Sequence, residues 1–543
     1  MYNENLTHKI MKKILIFTTL FLTTIMSFSQ SRKVIENMQK LGAAINAVEN
    51  YYVDTANINK LSEKMIIELL KNLDPHSTYI SKEEFNAANE PLEGSFDGIG
   101  VEFNLMYDTL LIVMPISGGP SERVGILAGD KIIAVNGENI AGVNITNDKV
   151  FKLLRGKKGT KVLLDVIRKN TNDILKFEVI RDKIPINSVD AAYEVYPGLA
   201  YIKLGRFAIT SMDEIFNAFA KFKTQPESLI LDLRGNGGGI MGTATSLADQ
   251  FLEKDKLLVY TSGEHAIAAQ KETSTSNGIF MKGKLVILIN EGSASASEIV
   301  AGAVQDWDRG IIIGRRTFGK GLVQRQIPLG DGSCIRLTIA RYHTPTGRVI
   351  QRPYEKGNAE KYVKDHYERY TSGEMYDGEH IDFPDSLKYN TFISGRTVYG
   401  GGGIMPDIFI PHDTTFYSQY YARLINRGIV NRFILNYVST NREKLKAEFP
   451  TFEDFEKGFF ITDDIVQNLV ELGEKEKLER NVEQLEISKP ELKVMMKALL
   501  ARDLWSTTEY FRVTNANIDR EFSKALDVIE NWEKYEREIL KLE

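Results

Sequence analysis

The sequence predicts a multi-domain α/β (α+β) protein, and three observations lead there. Between residues 187 and 350 short apolar runs alternate with helical stretches, the pattern of an α/β core. Residues 96–180 instead carry short β-like runs with glycine-rich turns between them. The chain before and after these blocks has apolar residues at helical spacing. A length of 543 residues accommodates about three or four domains of roughly 150 residues each.

The elements follow in order. Met11-Lys12-Lys13 precedes an uncharged stretch, Ile14 to Met26, and then Ser27-Phe28-Ser29-Gln30, with small residues two apart. This is the shape of a cleaved secretion signal over residues 1–30, too short for the roughly 20 apolar residues that span a bilayer. Residues 31–95 form an N-terminal helical region: Val34, Met38, Leu41, Ile45, Val48 and Tyr52 recur every three or four positions, and a second helix covers Ile58 to Leu73. Asp74-Pro75 ends that helix, because proline disfavours helical backbone in the residue before it. Residues 96–180 hold β-runs at Leu110–Pro115 and Lys161–Ile167. The core, residues 181–411, has strands at Ala200–Leu204, Leu229–Leu233, Leu285–Ile289, Gly310–Ile313 and Cys334–Ile339. Helices fall at Met212–Phe222, Gly242–Phe251 and Ser295–Val304. Within the core, residues 353–398 are polar and tyrosine-rich without clear periodicity, and read as an insertion or surface excursion. Residues 412–543 form a charged C-terminal helical region, where Phe522, Leu526, Ile529 and Trp532 make a packing stripe.

Composition excludes several functions. With 68 basic and 73 acidic side chains, a net charge of −5, no basic excess draws in nucleic acid or an anionic membrane. The single cysteine, Cys334, lies in an alternating run and reads as a small buried strand residue. One cysteine rules out an internal disulfide framework and cysteine-based zinc sites, and points to oxygen for any nucleophile. No metal or other cofactor is implied.

Two segments imitate phosphate loops. Gly237, Gly239 and Gly242 satisfy G-x-G-x-x-G after a strand, yet the next strand, Leu257–Tyr260, ends in Thr261-Ser262-Gly263 without the acid that binds a ribose. Gly314 to Lys320 satisfies G-x-x-x-x-G-K, but Gly321 stands where a hydroxyl must hold magnesium. A P-loop nucleotide-binding protein is therefore the weaker alternative.

The chemistry concentrates elsewhere. In Asn290 to Glu298 a strand runs through small residues into a helix, which exposes a serine at a helix N-terminus facing backbone N–H groups. Ser295-x-x-Glu298 is also a capping box, the structural reading of the same residues. A serine nucleophile needs a base, and no histidine shares a motif with this one. A lysine serves if burial lowers its pKa. Lys320 sits between Thr317 and Val323 among apolar and glycine neighbours, with no carboxylate in the segment to keep it charged. Asp306, 11 residues after Ser295, would stand about 16 Å along a continuous helix and reads as structural.

Ser293-Ala-Ser-Ala-Ser-Glu-Ile299 and Thr317-Phe-Gly-Lys-Gly321 with Val323-Gln324 together resemble the carboxyl-terminal processing (tail-specific) proteases. So do Leu231-Asp-Leu-Arg-Gly-Asn-Gly-Gly239, Leu73-Asp-Pro-His-Ser-Thr-Tyr79 and Gly98-Ile-Gly100, in the family's order from about residue 35 to Pro411. The resemblance implies a Ser–Lys serine endopeptidase with Ser295 as nucleophile, Lys320 as general base and Gln324 orienting the lysine. The oxyanion hole would use the N–H of Ala296 and that of Gly238 or Gly239. Gly118 to Gly137 resembles a PDZ domain, assigned to residues 96–180, and Gly98-Ile99-Gly100-Val101-Glu102-Phe103 resembles its carboxylate-binding loop and peptide-pairing strand. Clustered N–H groups there suit a free C-terminal carboxylate, and Ile99, Val101 and Phe103 an apolar last residue. Arg168 resembles an arginine that links tail binding to activation. The family further implies a bacterial, exported, periplasmic or extracytoplasmic enzyme that meets the membrane only through its signal. Its substrates are proteins or peptides with free tails, and its flanking segments build homodimers or adaptor contacts. The sequence departs from the family by about 50 residues between Thr344–Gln351 and Gly403-Ile-Met-Pro-Asp407, and by the helical tail. A catalytically inactive PDZ-containing peptide-binding protein is the alternative on the same fold; the presence of the serine, lysine and glutamine together argues against it.

Overall fold

The structure is a computed structural model that describes residues 32–541, apart from 107, 117, 170, 172, 379, 380 and 382. The secretion signal lies outside the described residues. The described residues up to Asn72 form one compact unit and those from Leu73 onward a second. The first holds two helices, Arg32–Tyr51 and Ile58–Lys71, the latter capped by the Asn57 side chain on the Lys60 N–H. The sequence region 31–95 is thus divided. Beyond Asn72 come the strand Thr78–Ile80, paired with Cys334–Arg336, and the helix Lys82–Glu93, opened by a Ser81–Glu84 capping box.

The second unit is built on a six-stranded sheet. Its order is Val189–Tyr196, Leu199–Leu204, Ser228–Asp232, Lys284–Ile289, Ile311–Gly314 and Ile408–Phe409, parallel except for the first pair. Strands buried on both faces must be apolar at most successive positions, and the four central strands are, whereas the edge strand Val189–Tyr196 carries Asp190 and Glu194 and is only half-buried. Alternation then sorts their side chains. Ala200, Ile202, Leu229, Leu231, Leu285, Ile287 and Ile289 face the helices Ser211–Lys221, Met241–Asp249 and Ala296–Asp306. Tyr201, Ile230, Val286, Leu288 and Ile313 face Phe522, Ala525, Val528, Ile529 and Trp532 from the end of the chain. The C-terminal stripe is therefore the lid of the sheet's second face.

The Gly403–Asp407 segment meets the sheet despite the inserted residues. Thr317 N–H donates to the Ile404 carbonyl at 3.1 Å, and Ile408–Phe409 adds as the edge strand. Residues 353–398 are mostly exposed or half-buried, yet they are anchored to the core at several points. They include a helix, Ala359–Thr371, with Tyr362 and Arg369 buried, and a hairpin of Lys388–Asn390 with Thr397–Tyr399. Glu374, Met375, Thr391, Arg396 and Val398 are buried as well, and these scattered, mostly polar anchors leave no apolar period. Arg369 donates to the carbonyls of Arg316 and Thr317, which ties the insertion to the segment before Lys320.

The glycine-rich block folds as a separate sheet, Val101–Met106, Thr109–Pro115, Lys131–Val135, Lys161–Ile167 and Leu175–Ile180, around its own core of Ile112, Ile132, Val150 and Leu164. Residues 419–517 form a helical bundle packed on Leu424, Ile434, Leu469, Met496 and Leu500. Phe522 is 2% exposed and meets the Tyr201 ring edge-on at 5.5 Å. Phe522→Ala should cost roughly 3–5 kcal/mol of unfolding free energy, read from the denaturation midpoint; a loss below about 1 kcal/mol would show that the last helices contribute little to the core.

Candidate active site

Strand Lys284–Ile289 leads through a tight turn into helix Ala296–Asp306, and Ser295 is the residue at the joint. Its backbone has φ 56° and ψ −110°, a conformation costly for any residue with a Cβ. The three neighbouring serines are distinguished by their partners. The Ser293 hydroxyl donates to the Leu233 carbonyl and that of Ser297 to the Asn236 carbonyl, both at 2.8 Å, so each is fixed inside the fold. Ser295 instead lines a cavity of about 550 Å³ together with Lys320, Gln324, Gly238, Gly239 and Ala296. The capping box expected of Ser295 and Glu298 is present. The Glu298 N–H faces the Ser295 side chain in that box and also donates to the Ser295 carbonyl at 2.9 Å, so the serine caps the helix while its side chain borders the cavity.

Glu298 does more than cap. Fully buried, its carboxylate accepts the Ser295 N–H at 2.7 Å, the Gly319 N–H at 2.7 Å, the Lys320 N–H at 2.9 Å and the Thr317 hydroxyl. Burial pushes its carboxyl above the ordinary range, and the hydrogen bonds from Thr317, Lys320, Ser295 and Gly319 oppose that shift. One side chain therefore joins the serine turn to the lysine loop. The Tyr342 hydroxyl adds a second tie, placed 2.6 Å from the Lys320 carbonyl oxygen and 3.1 Å from that of Ser295.

The Lys320 ammonium nitrogen donates to Gln324 Oε1 at 3.0 Å, and Gln324 Nε2 donates to the His76 carbonyl at 2.6 Å. A register shift between Val323 and Gln324 marks a bulge in strand Leu322–Pro328, the kind of irregularity that re-aims a side chain. The Lys320 pKa is lowered, first by burial and then by Arg336, against the pull of Glu298 and Asp74. Neither carboxylate turns to the ammonium. Glu298 is taken by the donors above. Asp74 accepts the N–H groups of His76 and Ser77 and the hydroxyls of Ser77 and Thr338. His76 stays neutral near pH 7, its pKa lowered to about 4 by burial and by Lys320. Its ring faces the Tyr362 hydroxyl at 3.2 Å.

The glycine turn after strand Ser228–Asp232 completes the cavity. A Cβ on Gly238 would lie 2.8 Å from Ser295 Cβ and 3.0 Å from the Ala296 nitrogen, so only glycine permits this approach. The Gly238 N–H donates to Asn236 Oδ1 at 2.9 Å. Among the described residues no protein acceptor takes the N–H of Gly239 or of Ala296. Between the two glycines named from sequence, Gly239 has the free donor. A strand rather than a helix follows Lys320, unlike a phosphate loop. Asp306 is the last residue of its helix, 11 positions beyond Ser295, and is tied there to the buried Arg348 and to the Thr346 N–H at 2.9 Å.

The remaining residues named from sequence lie in or beside the separate sheet. Gly98 to Phe103 run from strand Ser95–Gly98 into strand Val101–Met106. The Ile99 carbonyl is anchored by the Ser121 N–H and hydroxyl, and Phe103 meets Phe151 of helix Asn147–Leu154 at 5.5 Å. Arg168 is not gathered with them. Its guanidinium is held by Asp130, at 2.7 and 2.8 Å, and by the Gly125 carbonyl, beside a cavity shared with Leu435, Val438 and Asp503.

Three known families match this chain: peptidase family S41 over residues 198–357, a PDZ domain over 112–168, and a family of unknown function over 420–506. A carboxy-terminal-processing protease of Bartonella bacilliformis is 34% identical over 328 residues, 60% of this chain and 74% of that protein. The carboxy-terminal processing protease CtpA of Bacillus subtilis is 33% identical over 359 residues, 64% and 75% of the two chains. A solved photosystem II D1 C-terminal processing protease is 30% identical, covering 57% of this chain and 88% of its own, with a TM-score of 0.31. The protein is a serine-type peptidase that carries a PDZ domain. It belongs to the carboxy-terminal processing proteases.

Glu298, Tyr342, Asp74 and the His76 carbonyl are the site residues whose roles sequence reading missed. Glu298→Gln replaces one acceptor by a donor facing N–H groups. It should lower kcat roughly 10- to 100-fold, since hydrogen bonds to a buried charge are worth about 1.5–3 kcal/mol. An unchanged kcat in folded protein would mean that the two loops hold without it.

Proposed function

We propose that this protein is an exported endopeptidase that captures protein C-terminal tails in its PDZ domain and cleaves peptide bonds with Ser295 and Lys320. One observation carries the reading: the serine, the lysine and two undonated N–H groups line one cavity, and the carboxylates near the lysine are engaged elsewhere. In this mechanism neutral Lys320 takes the Ser295 proton as the oxygen attacks the scissile carbonyl. The N–H groups of Ala296 and Gly239 stabilise the oxyanion, aided by the positive end of helix Ala296–Asp306. The lysine then gives its proton to the leaving amine, and the second half of the cycle delivers water to the acyl-enzyme by the same route. Gln324 holds the lysine from its far side. The tail's carboxylate would meet the loop Gly98–Gly100, and its backbone would add to strand Val101–Met106. The residue boundaries 96–180 for the PDZ domain and 181–411 for the peptidase core belong to this proposal, as do export through residues 1–30 and a free-tailed protein as substrate. No described helix is long and apolar enough to cross a membrane.

Ser295→Ala and Lys320→Ala should each reduce cleavage of an unstructured substrate with an apolar C-terminus by at least about 10³-fold. Wild-type rates in either would refute the pair. Amidating the substrate tail should lower kcat/KM about tenfold, the worth of one charge-assisted contact set; indifference would remove tail reading from the PDZ domain. With the Lys320 pKa lowered from 10.5, the neutral base accumulates as pH rises. The pH profile of kcat/KM should therefore climb to a plateau with its midpoint below that value, and a profile that falls over the same range would contradict a lysine base.

A further inference from the structure

Two guanidinium groups connect the cavity floor to the end of the chain. Arg234 opens the glycine turn that presents Gly239. Its guanidinium grips Asp232 on one edge, with Nη2 2.6 Å from Oδ2, and Asp519 on the other, at 2.9 and 2.7 Å. Glu521 stands 3.4 Å from its Nη1. Arg315 follows strand Ile311–Gly314 and begins the loop that carries Lys320. Its Nε lies 2.9 Å from Glu291, in the turn before Ser295, and its Nη1 lies 2.6 Å from Glu521. These side chains are between 0% and 14% exposed, and Arg315, Asp519 and Glu521 line a polar cavity of about 370 Å³. Asp519 is also the N-cap of helix Arg520–Glu530, accepting the Phe522 N–H at 2.9 Å, and Glu521 occupies the first turn.

The helix does not need these pairs to dock. Phe522, Ala525, Val528 and Ile529 already bury its apolar side on the sheet. What the two acids add is direction. A guanidinium fork held on both edges has one orientation, and each fork is rooted where a loop of the cavity leaves the sheet. We infer that Asp519 and Glu521 are positioning residues for the peptidase reaction, acting through Arg234 and Arg315 to fix the Gly239 turn and the Lys320 loop. This inference rests on the Ser295–Lys320 reading. It makes the last helices a working part of the active site, because the oxyanion donor and the base are both aligned from behind the sheet.

The test uses the full chain carrying Asp519→Asn and Glu521→Gln, singly and together. Asparagine caps helices as well as aspartate does, so the first change removes the anion and keeps the cap. The measurements are kcat and KM on a tail-bearing peptide, the affinity of a peptide boronate that forms a tetrahedral adduct with the serine, and Tm. The double variant should lose about 10- to 100-fold in kcat and in boronate affinity, with KM within about twofold, because only the transition state needs the aligned donor. The charge-retaining Asp519→Glu should recover part of the loss. A folded double variant with kcat within about twofold of wild type, or one in which KM rises while kcat holds, overturns the inference. If the double variant does not fold, the single variants are judged by the same criteria. Ser295→Ala is assayed alongside. Its full activity would defeat the dyad itself, whereas an inactive Ser295→Ala beside a fully active double variant defeats only the positioning role.

Discussion

The cavity depends on one buried carboxylate. Glu298 accepts donors from the residue that precedes its own helix and from a loop 19 to 22 positions further along the chain. A buried carboxylate must have such partners, since leaving it without them costs several kcal/mol. Satisfying it draws the Thr317–Lys320 loop against the serine turn. The same demand explains why the lysine lacks a counterion: the acid closest to it in sequence logic is fully occupied by backbone and hydroxyl donors. A structural requirement and a chemical one are thus met by a single side chain.

The surroundings repeat this use of polar groups as fixed points. Asp74 organises the segment whose carbonyl at His76 receives Gln324. Arg369 of the insertion clasps the carbonyls before Lys320. Arg234 and Arg315 carry the same logic through to the last helices. The strained backbone at Ser295 is held by these contacts around it, as residues in sparsely populated conformations require. Apolar packing supplies the cohesion of the sheet, while the charged and amide groups decide where the loops stand.

Much of this was legible in the sequence. The core strands at Ala200–Leu204, Leu229–Leu233 and Leu285–Ile289 fall within a residue of the observed ones, because fully buried parallel strands are unbroken apolar runs. Ser295, Lys320, Gln324 and the glycine turn stand in short motifs, and the structure brings them to one cavity. Local sequence does not carry information about partners far along the chain. Glu298 looks like a cap because only one of its four donors, the Ser295 N–H, is close in sequence, while the other three lie in Thr317–Lys320. The insertion looks irregular because its buried residues, Arg369, Glu374, Thr391 and Arg396 among them, are scattered and mostly polar. Arg168 sits at the end of a strand as expected, yet its guanidinium is folded onto Asp130, a choice set by tertiary packing. Asp519 caps helix Arg520–Glu530 locally, whereas its other partner, Arg234, is 285 positions away.

Lys320 is held with Glu298 and Asp74 engaged by other donors, and burial lowers its pKa. The most direct measurement is an NMR titration of the Lys320 side chain in the otherwise intact Ser295→Ala protein, where the resonance reports the ammonium without turnover. The account predicts a midpoint clearly below the ordinary 10.5. A midpoint at or above that value would show a lysine stabilised as a cation, and would contradict it.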